Sequence, residues 1–321
     1  MGNKTLDNTN MMHTWTSYTG SVCGILNSSG IFEIEPYLFS GMTGLAFHFI
    51  IREDICLSGP TVYDWGSEHF EMMDRIGVHS KLICVYNMNL NTYELIRKDA
   101  VDFIKESIDR GVGLVIWAPT ILEFGIIVGY DDEDGVVFAK DCLTGQAEPI
   151  LYENLGVSEV PYLFLQTFYA KVDVNNDKIF IESLKYAVQQ WEKQFHVPPY
   201  YASGRKAYEL LISALENGKY DKSGLTYNLS VYSESKMFIS KYLDYIINTS
   251  DKFNYLKEAY DNFKSVAEHF SKASELLPFA IPSNSTDSFK TENVLLALEE
   301  IKNAFKQEEE AMKIISDNIS K

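Results

Sequence analysis

Apolar and polar positions follow two different rhythms along this chain, and the rhythm changes near residue 175. In the first half, short apolar runs are separated by Gly, Pro and Asp breaks. Residues 113–118, 124–130, 135–139 and 162–168 each read as a strand. The acidic stretch Asp131-Asp132-Glu133-Asp134 before Gly135 reads as a hairpin turn joining the second run to the third. Helices precede these strands. Residues 16–28 form one, closed by Gly30. Residues 91–109 form another, with Leu95, Ile96, Ala100, Phe103, Ile104 and Ile108 at helical spacing and Gly111 as the stop. Helix followed by β-meander predicts an α+β domain with an antiparallel sheet, not alternating βαβ units.

Beyond about residue 178 the period becomes helical throughout. Residues 181–194, 202–216, 230–248, 252–276 and 291–316 are amphipathic, and Pro198-Pro199, Gly218, Gly224 and residues 278–287 supply the breaks. No fixed repeat recurs, so the pattern predicts an irregular bundle and not a solenoid. The expected organisation is an α+β domain over 1–175 followed by an all-α domain over 176–321.

Composition narrows the function classes. With 46% hydrophobic and 23% charged residues the chain has the make-up of a globular protein. It has no run of eighteen apolar residues, which argues against a membrane-spanning helix. The first twenty residues are polar and do not read as a secretory signal, and Leu6 stands where N-myristoylation needs Ser or Thr. A formal charge of -17 repels phosphate backbones and anionic lipids, so neither nucleic acid nor membrane is an expected partner. It favours cationic ligands, although solubility alone is the commoner reason for such a charge. The four cysteines, Cys23, Cys56, Cys84 and Cys142, are scattered without a CxxC pair and read as reduced thiols of a cytoplasmic protein. Zinc spacing, a P-loop and a dinucleotide fingerprint are all missing, so no metal or cofactor is expected.

The most informative stretch is Glu123-Phe124-Gly125-Ile126-Ile127-Val128-Gly129-Tyr130-Asp131-Asp132, followed by a strand ending at Asp141. It resembles papain-like cysteine peptidases of the bacteriocin-processing type and the N-terminal domain family of butirosin biosynthesis protein H. Residues 38–49 are similar to the glycine-rich segment of the latter, and residues 201–208 to the helical extension that follows it. In such domains a His opens the strand that ends Gly-Tyr-Asp, an Asp closes the next strand, and the nucleophilic Cys begins a helix. Carried over residue by residue, the His position is Glu123, the Asp position is Asp141 and the nucleophile position is Ser17. The resemblance implies a papain-like fold and, with Cys and His intact, acyl transfer from a carrier-protein thioester to an amine.

Two functions follow as expectations. One is a divergent acyltransferase or amide hydrolase acting on an amine-bearing natural product or peptide, with an acyl carrier protein as partner and Ser17, Glu123 and Asp141 as catalytic residues. The other is a non-catalytic papain-like module that binds a cationic small molecule. A third arrangement stays open, with Cys23 as nucleophile and His48 or His13 as base. Thr43, His48, Asp64, Trp65 and Trp117 are candidates to line the cleft. For His48 a satisfied core histidine is the simpler reading, for Asp64 a cap of the helix running to Met73, and for Ser17 a first-turn helix residue.

Overall fold

The computed structural model describes residues 2–192, 198–280 and 289–319. In chain order the elements are β1 (Asn3–Thr5), α1 (Ser17–Ser28), α2 (Pro36–Thr43), β2 (Ile50–Arg52), α3 (Trp65–Arg75), β3 (Val78–Val85), α4 (Tyr93–Asp109) and β4 (Leu114–Trp117). There follow β5 (Phe124–Asp131), β6 (Val136–Lys140), β7 (Ala147–Leu151), β8 (Leu163–Lys171), α5 (Asn176–Glu192), β9 (Tyr201–Ser203), α6 (Gly204–Asn217), α7 (Lys222–Thr249), α8 (Lys257–Leu276) and α9 (Thr291–Ile319). The end of the predicted 181–194 helix, and the predicted break from residue 281 onward, lie outside the described residues.

The protein is mixed α+β, and the described chain divides into two compact units: residues 1–39 with 65–173, and residues 40–64 with 174–321. A boundary drawn at 175/176 leaves residues 40–64 with the first half of the chain, whereas they fold with the second unit. The second unit is also not purely helical. Its β2 and β9 pair antiparallel, Ile50 opposite Ser203 and Arg52 opposite Tyr201. Two strands of three residues are too short to declare a period of two, and this one shortens the predicted 202–216 helix to start at Gly204.

The first unit is built on a seven-stranded antiparallel sheet ordered β3-β8-β4-β5-β6-β7, with β1 added beside β5. Strand residues alternate between its faces. Leu114, Ile116 and Ile127 join Ala100, Ile104 and Ile108 of α4 in one core. On the other face Tyr18 of α1 meets Phe124 at 5.4 Å between ring centroids and donates a hydrogen bond to Gln166 Oε1 at 2.8 Å. Burying rings of this size is worth roughly 2–3 kcal/mol each, which anchors the start of α1 against β5.

In the second unit α8 packs against both α7 and α9. An ion pair is sealed among these helices. Lys236 Nζ lies 2.7 Å from Glu308 Oε1, with side-chain exposures of 1% and 4%, and Tyr208 donates to Glu308 Oε2 at 2.6 Å. The rings of Phe49, Tyr208 and Phe270 stand 4.6 to 5.8 Å from the ammonium. Burial drives the Lys236 amine below its ordinary value, and Glu308 opposes that shift. No described helix is long and apolar enough to cross a membrane.

Candidate functional site

Three chain segments meet where β5 begins and β6 ends. The β5–β6 register pairs Ile126 with Lys140, so Asp141 leaves the sheet at the end where Glu123 enters it. The two strands approach tightly here. A Cβ on Gly125 would stand 2.4 Å from the Lys140 carbonyl oxygen and 2.6 Å from Pro119 Cγ, so only glycine fits. The loop before Glu123 is wound back on itself: Ala118 has φ +51°, its N–H donates to Glu123 O at 2.9 Å, and Glu123 N–H donates to Ile121 O at 2.7 Å. A positive φ at alanine stores strain, and such strain gathers at functional sites.

The third segment is the start of α1. Ser17 is the first residue of that helix and is 3% exposed. Its hydroxyl donates to Glu123 Oε2 at 2.5 Å and accepts from the Phe124 N–H at 3.0 Å. Ser17 therefore does more than begin a helix: it ties α1 to the mouth of β5. The N-terminal end of a helix is a favourable place for negative charge.

Asp141 does not complete a triad. It is 4% exposed. It accepts from Thr120 Oγ1 on one oxygen, and from Leu143 N at 2.8 Å, Thr144 N at 2.7 Å and Thr144 Oγ1 at 3.2 Å on the other. Its hydrogen bonds thus go to Thr120 and the following turn, and none goes to Glu123, which an orienting carboxylate would have to hold. Burial pushes the Asp141 carboxyl up, but these bonds outweigh burial and hold it below the ordinary value, so it is ionised at neutral pH.

Sequence reasoning missed Thr120 and Cys142. The Cys142 thiol is pushed up to about 12, first by burial and then by the charges of Glu123 and Asp141. Both carboxylates therefore act on one point, and Cys142 itself is a neutral thiol. Its place directly after Asp141 was the available signal. Cys23 cannot serve as an accessible nucleophile. It is wholly buried in α1, and burial, followed by the charge of Glu35, pushes its thiol far above the ordinary value. His13 is exposed.

The remaining candidates separate. Trp65 and Trp117 belong to the first unit but are only 3% and 5% exposed. The two rings lie 4.7 Å apart; Trp65 meets Phe124, Tyr162 and Phe164 edge-on at 4.9 to 5.9 Å, Trp117 meets Phe124 at 5.1 Å, and Trp117 Nε1 donates to Val160 O at 3.2 Å. They form a packed wall behind the start of β5, not a surface for substrate. His69 is likewise core, stacked on Tyr18 at 3.6 Å. Thr43, His48 and Asp64 belong to the second unit. Thr43 is buried, its hydroxyl donating to Ser40 O and accepting from Leu45 N, both at 3.4 Å. His48 is 5% exposed, bonded through Nε2 to the Tyr186 hydroxyl and set edge-on to Tyr63. It is a core histidine, as the simpler reading expected, with one ring nitrogen hydrogen-bonded and Nδ1 buried in the packing. Asp64 is partly buried, immediately before α3.

A groove of about 660 Å³ in the first unit is lined by Arg97, Lys98, Asp102, Asp134 and Tyr152 among others, and shares no residue with this cluster. Among the described residues no group of His, Cys, Asp and Glu is arranged to hold a metal ion. No protein-family model matches the chain, and no curated protein matches it.

Proposed function

We propose that the first unit is a papain-like domain, related to the N-terminal domain of butirosin biosynthesis protein H, that holds the amino group of a small natural product or peptide without forming a covalent intermediate. The observation that carries this reading is the Ser17–Glu123 hydrogen bond at 2.5 Å. It joins the two residues that the resemblance puts at the nucleophile and base positions. The bond favours recognition over catalysis. A carboxylate is a far weaker base than imidazole toward a hydroxyl. The Ser17 oxygen is nearly buried and already accepts from Phe124 N–H. Glu123 and the ionised Asp141 both bear on Cys142, which makes the cluster attractive to a cation.

A second reading, acyl transfer or amide hydrolysis through Ser17 with acyl groups supplied by a carrier protein, is favoured by one feature. A hydroxyl within hydrogen-bond reach of a carboxylate at a helix N-terminus has nucleophile-and-base geometry. Calorimetry with aminoglycosides, polyamines and peptide amines separates the two. Binding of at least one amine is expected, weakened about tenfold or more by Glu123→Gln, which is roughly 1.4 kcal/mol of lost ion pairing. Absence of heat with every amine would remove the recognition reading. Steady thiol release from an acyl thioester, abolished by Ser17→Ala, would establish the second.

A further inference from the structure

The groove beside α4 uses none of the residues gathered at Ser17, and its lining has a chemistry of its own. It belongs to the first unit and is lined by the first half of α4, the β5–β6 turn, and the end of β7 with the turn that follows. Its volume of about 660 Å³ falls within the roughly 300–1,000 Å³ of ordinary ligand pockets.

The frame of the groove is held from within. Arg97 on α4 donates to Glu153 O at 2.7 Å through one arm and meets Glu94 with the other, so its charge is engaged. Tyr152 donates to Asp132 Oδ1 at 3.1 Å, and Lys105 Nζ lies 2.5 Å from the same oxygen. Val101 and Tyr152 pack against the core between α4 and the sheet, and with Leu151 they supply the apolar part of the lining.

The rest of the lining is mainly acidic. Asp102, Asp134 and Glu153 are exposed, and among the described residues none of their carboxylates has an ion-pair or hydrogen-bond partner. Lys98 precedes Asp102 by four residues, the weaker order for a pair along a helix, and the two are not joined. Three carboxylates thus outweigh one lysine, and the groove attracts positive charge. The end of β7 adds a backbone group. Tyr152 N–H donates to Gly135 O at 2.9 Å, which sets the phase of the β6–β7 ladder. Leu151, one residue earlier and 42% exposed, therefore turns its N–H to the outer edge, where no further described strand lies beside β7. Pro149 faces the same edge without an N–H, so a strand added here pairs only with the end of β7.

We propose that this groove binds a short extended segment of a basic peptide. A peptide carbonyl accepts from Leu151 N–H, an aliphatic side chain lies against Leu151, Val101 and Tyr152, and lysine or arginine side chains meet Asp102, Asp134 and Glu153. Pairing confined to one end of a strand contributes little affinity, so the carboxylates select the partner. Binding here is independent of Ser17 and Glu123, which lie outside the groove.

The test is fluorescence anisotropy of the full chain with a dye-labelled Lys-Val-Lys-Val-Lys peptide, blocked at both ends, at low ionic strength. Saturable binding is expected, and the corresponding Glu-Val-Glu-Val-Glu peptide should not bind. Asp102→Asn combined with Asp134→Asn should weaken the basic peptide about tenfold. Glu299→Gln combined with Glu310→Gln makes the same change in net charge at exposed positions of α9, and should alter affinity less than about twofold. Lys98→Gln should tighten binding several-fold. Spermidine, which matches the charge of the peptide without its carbonyls, should compete at least about tenfold more weakly. All five substituted side chains are exposed, so melting temperatures should stay close to the parent. Equal losses in the two double variants would show that the peptide reads net charge alone and would overturn the proposal. So would absence of binding, weaker binding in Lys98→Gln, or spermidine competing as well as the peptide.

Discussion

Glu308 and Glu123 each accept a short hydrogen bond from a hydroxyl, Tyr208 at 2.6 Å and Ser17 at 2.5 Å, yet the two carboxylates sit in opposite situations. Glu308 is 3% exposed, with Lys236 at 2.7 Å and aromatic rings around the ammonium. Its charge is neutralised within the helical packing, and water cannot reach it. Glu123 is partly exposed at the lip of a sheet, tied to the first residue of a helix and one turn of loop away from Thr120 and Asp141. Similar bonds therefore have different consequences. Where burial is complete the carboxylate specifies how helices dock, and where it is partial one side of the carboxylate stays within reach of solvent.

The contrast is broken most forcefully at Lys236. Lys236→Met leaves Glu308 charged and buried with only the Tyr208 hydroxyl to answer it, and should destabilise the protein by about 3–5 kcal/mol in denaturant titration. Adding Glu308→Leu to that variant should recover much of the loss, since an apolar pair replaces an uncompensated charge. A single variant within about 0.5 kcal/mol of the parent would mean that the pair is not sealed as the packing implies.

A smaller effect belongs to Asp141. Asp141→Asn loses the charge that four hydrogen bonds stabilise, and should cost about 2 kcal/mol at neutral pH. The folded carboxyl titrates below the ordinary 3.8, so between the two values the unfolded chain binds more protons than the folded one. Its stabilisation is complete above about 3.8, and is lost as pH falls through the lower folded value. The stability gap between parent and variant should therefore close on acidification below pH 4 and stay constant from pH 5 to 8. A gap that persists at low pH would assign the cost to packing and not to charge.

Much of the fold was legible because single residues carry strong signals. Gly30, at φ +69°, closes α1 just after the end that the pattern predicts, and Gly111, at φ +81°, does the same for α4. The apolar runs at β4, β5, β6 and β8 are buried strands, and burial is what apolar runs report. The strands that escaped notice lie at the sheet edges. In β7, Ala147, Glu148 and Pro149 are exposed, and the strand exists because β6 offers it a ladder. In β3 the inward Val78 and Ser80 alternate with the outward His79 and Lys81, too weak an apolar stripe to stand out. With both edges taken, β8 does not extend the meander but returns to pair with β3 and β4. At the site, the frame set by Gly129 and Gly30 was enough to bring Ser17 and Glu123 together. The bonds of Asp141 were hidden, because Thr120 reaches it from a loop that turns back at Ala118, and no pattern announces an alanine at positive φ.

The gentlest perturbation is Ser17→Ala. It removes one donor to Glu123 and one acceptor for Phe124 N–H, and should cost about 1 kcal/mol, or several degrees of melting temperature at most. Its value lies in what happens to ligand binding. If Glu123 serves recognition, freeing its Oε2 from Ser17 leaves the charge in place, and amine affinity should stay within about threefold of the parent, under 1 kcal/mol. If Ser17 is the working nucleophile, the same change should leave amine affinity intact but abolish all acyl transfer. A loss of affinity as large as that of Glu123→Gln would mean that Ser17 positions the carboxylate for its ligand. Glu123 would then resemble Glu308 more closely than their exposures suggest, as a charge whose role depends on the hydroxyl that fixes it.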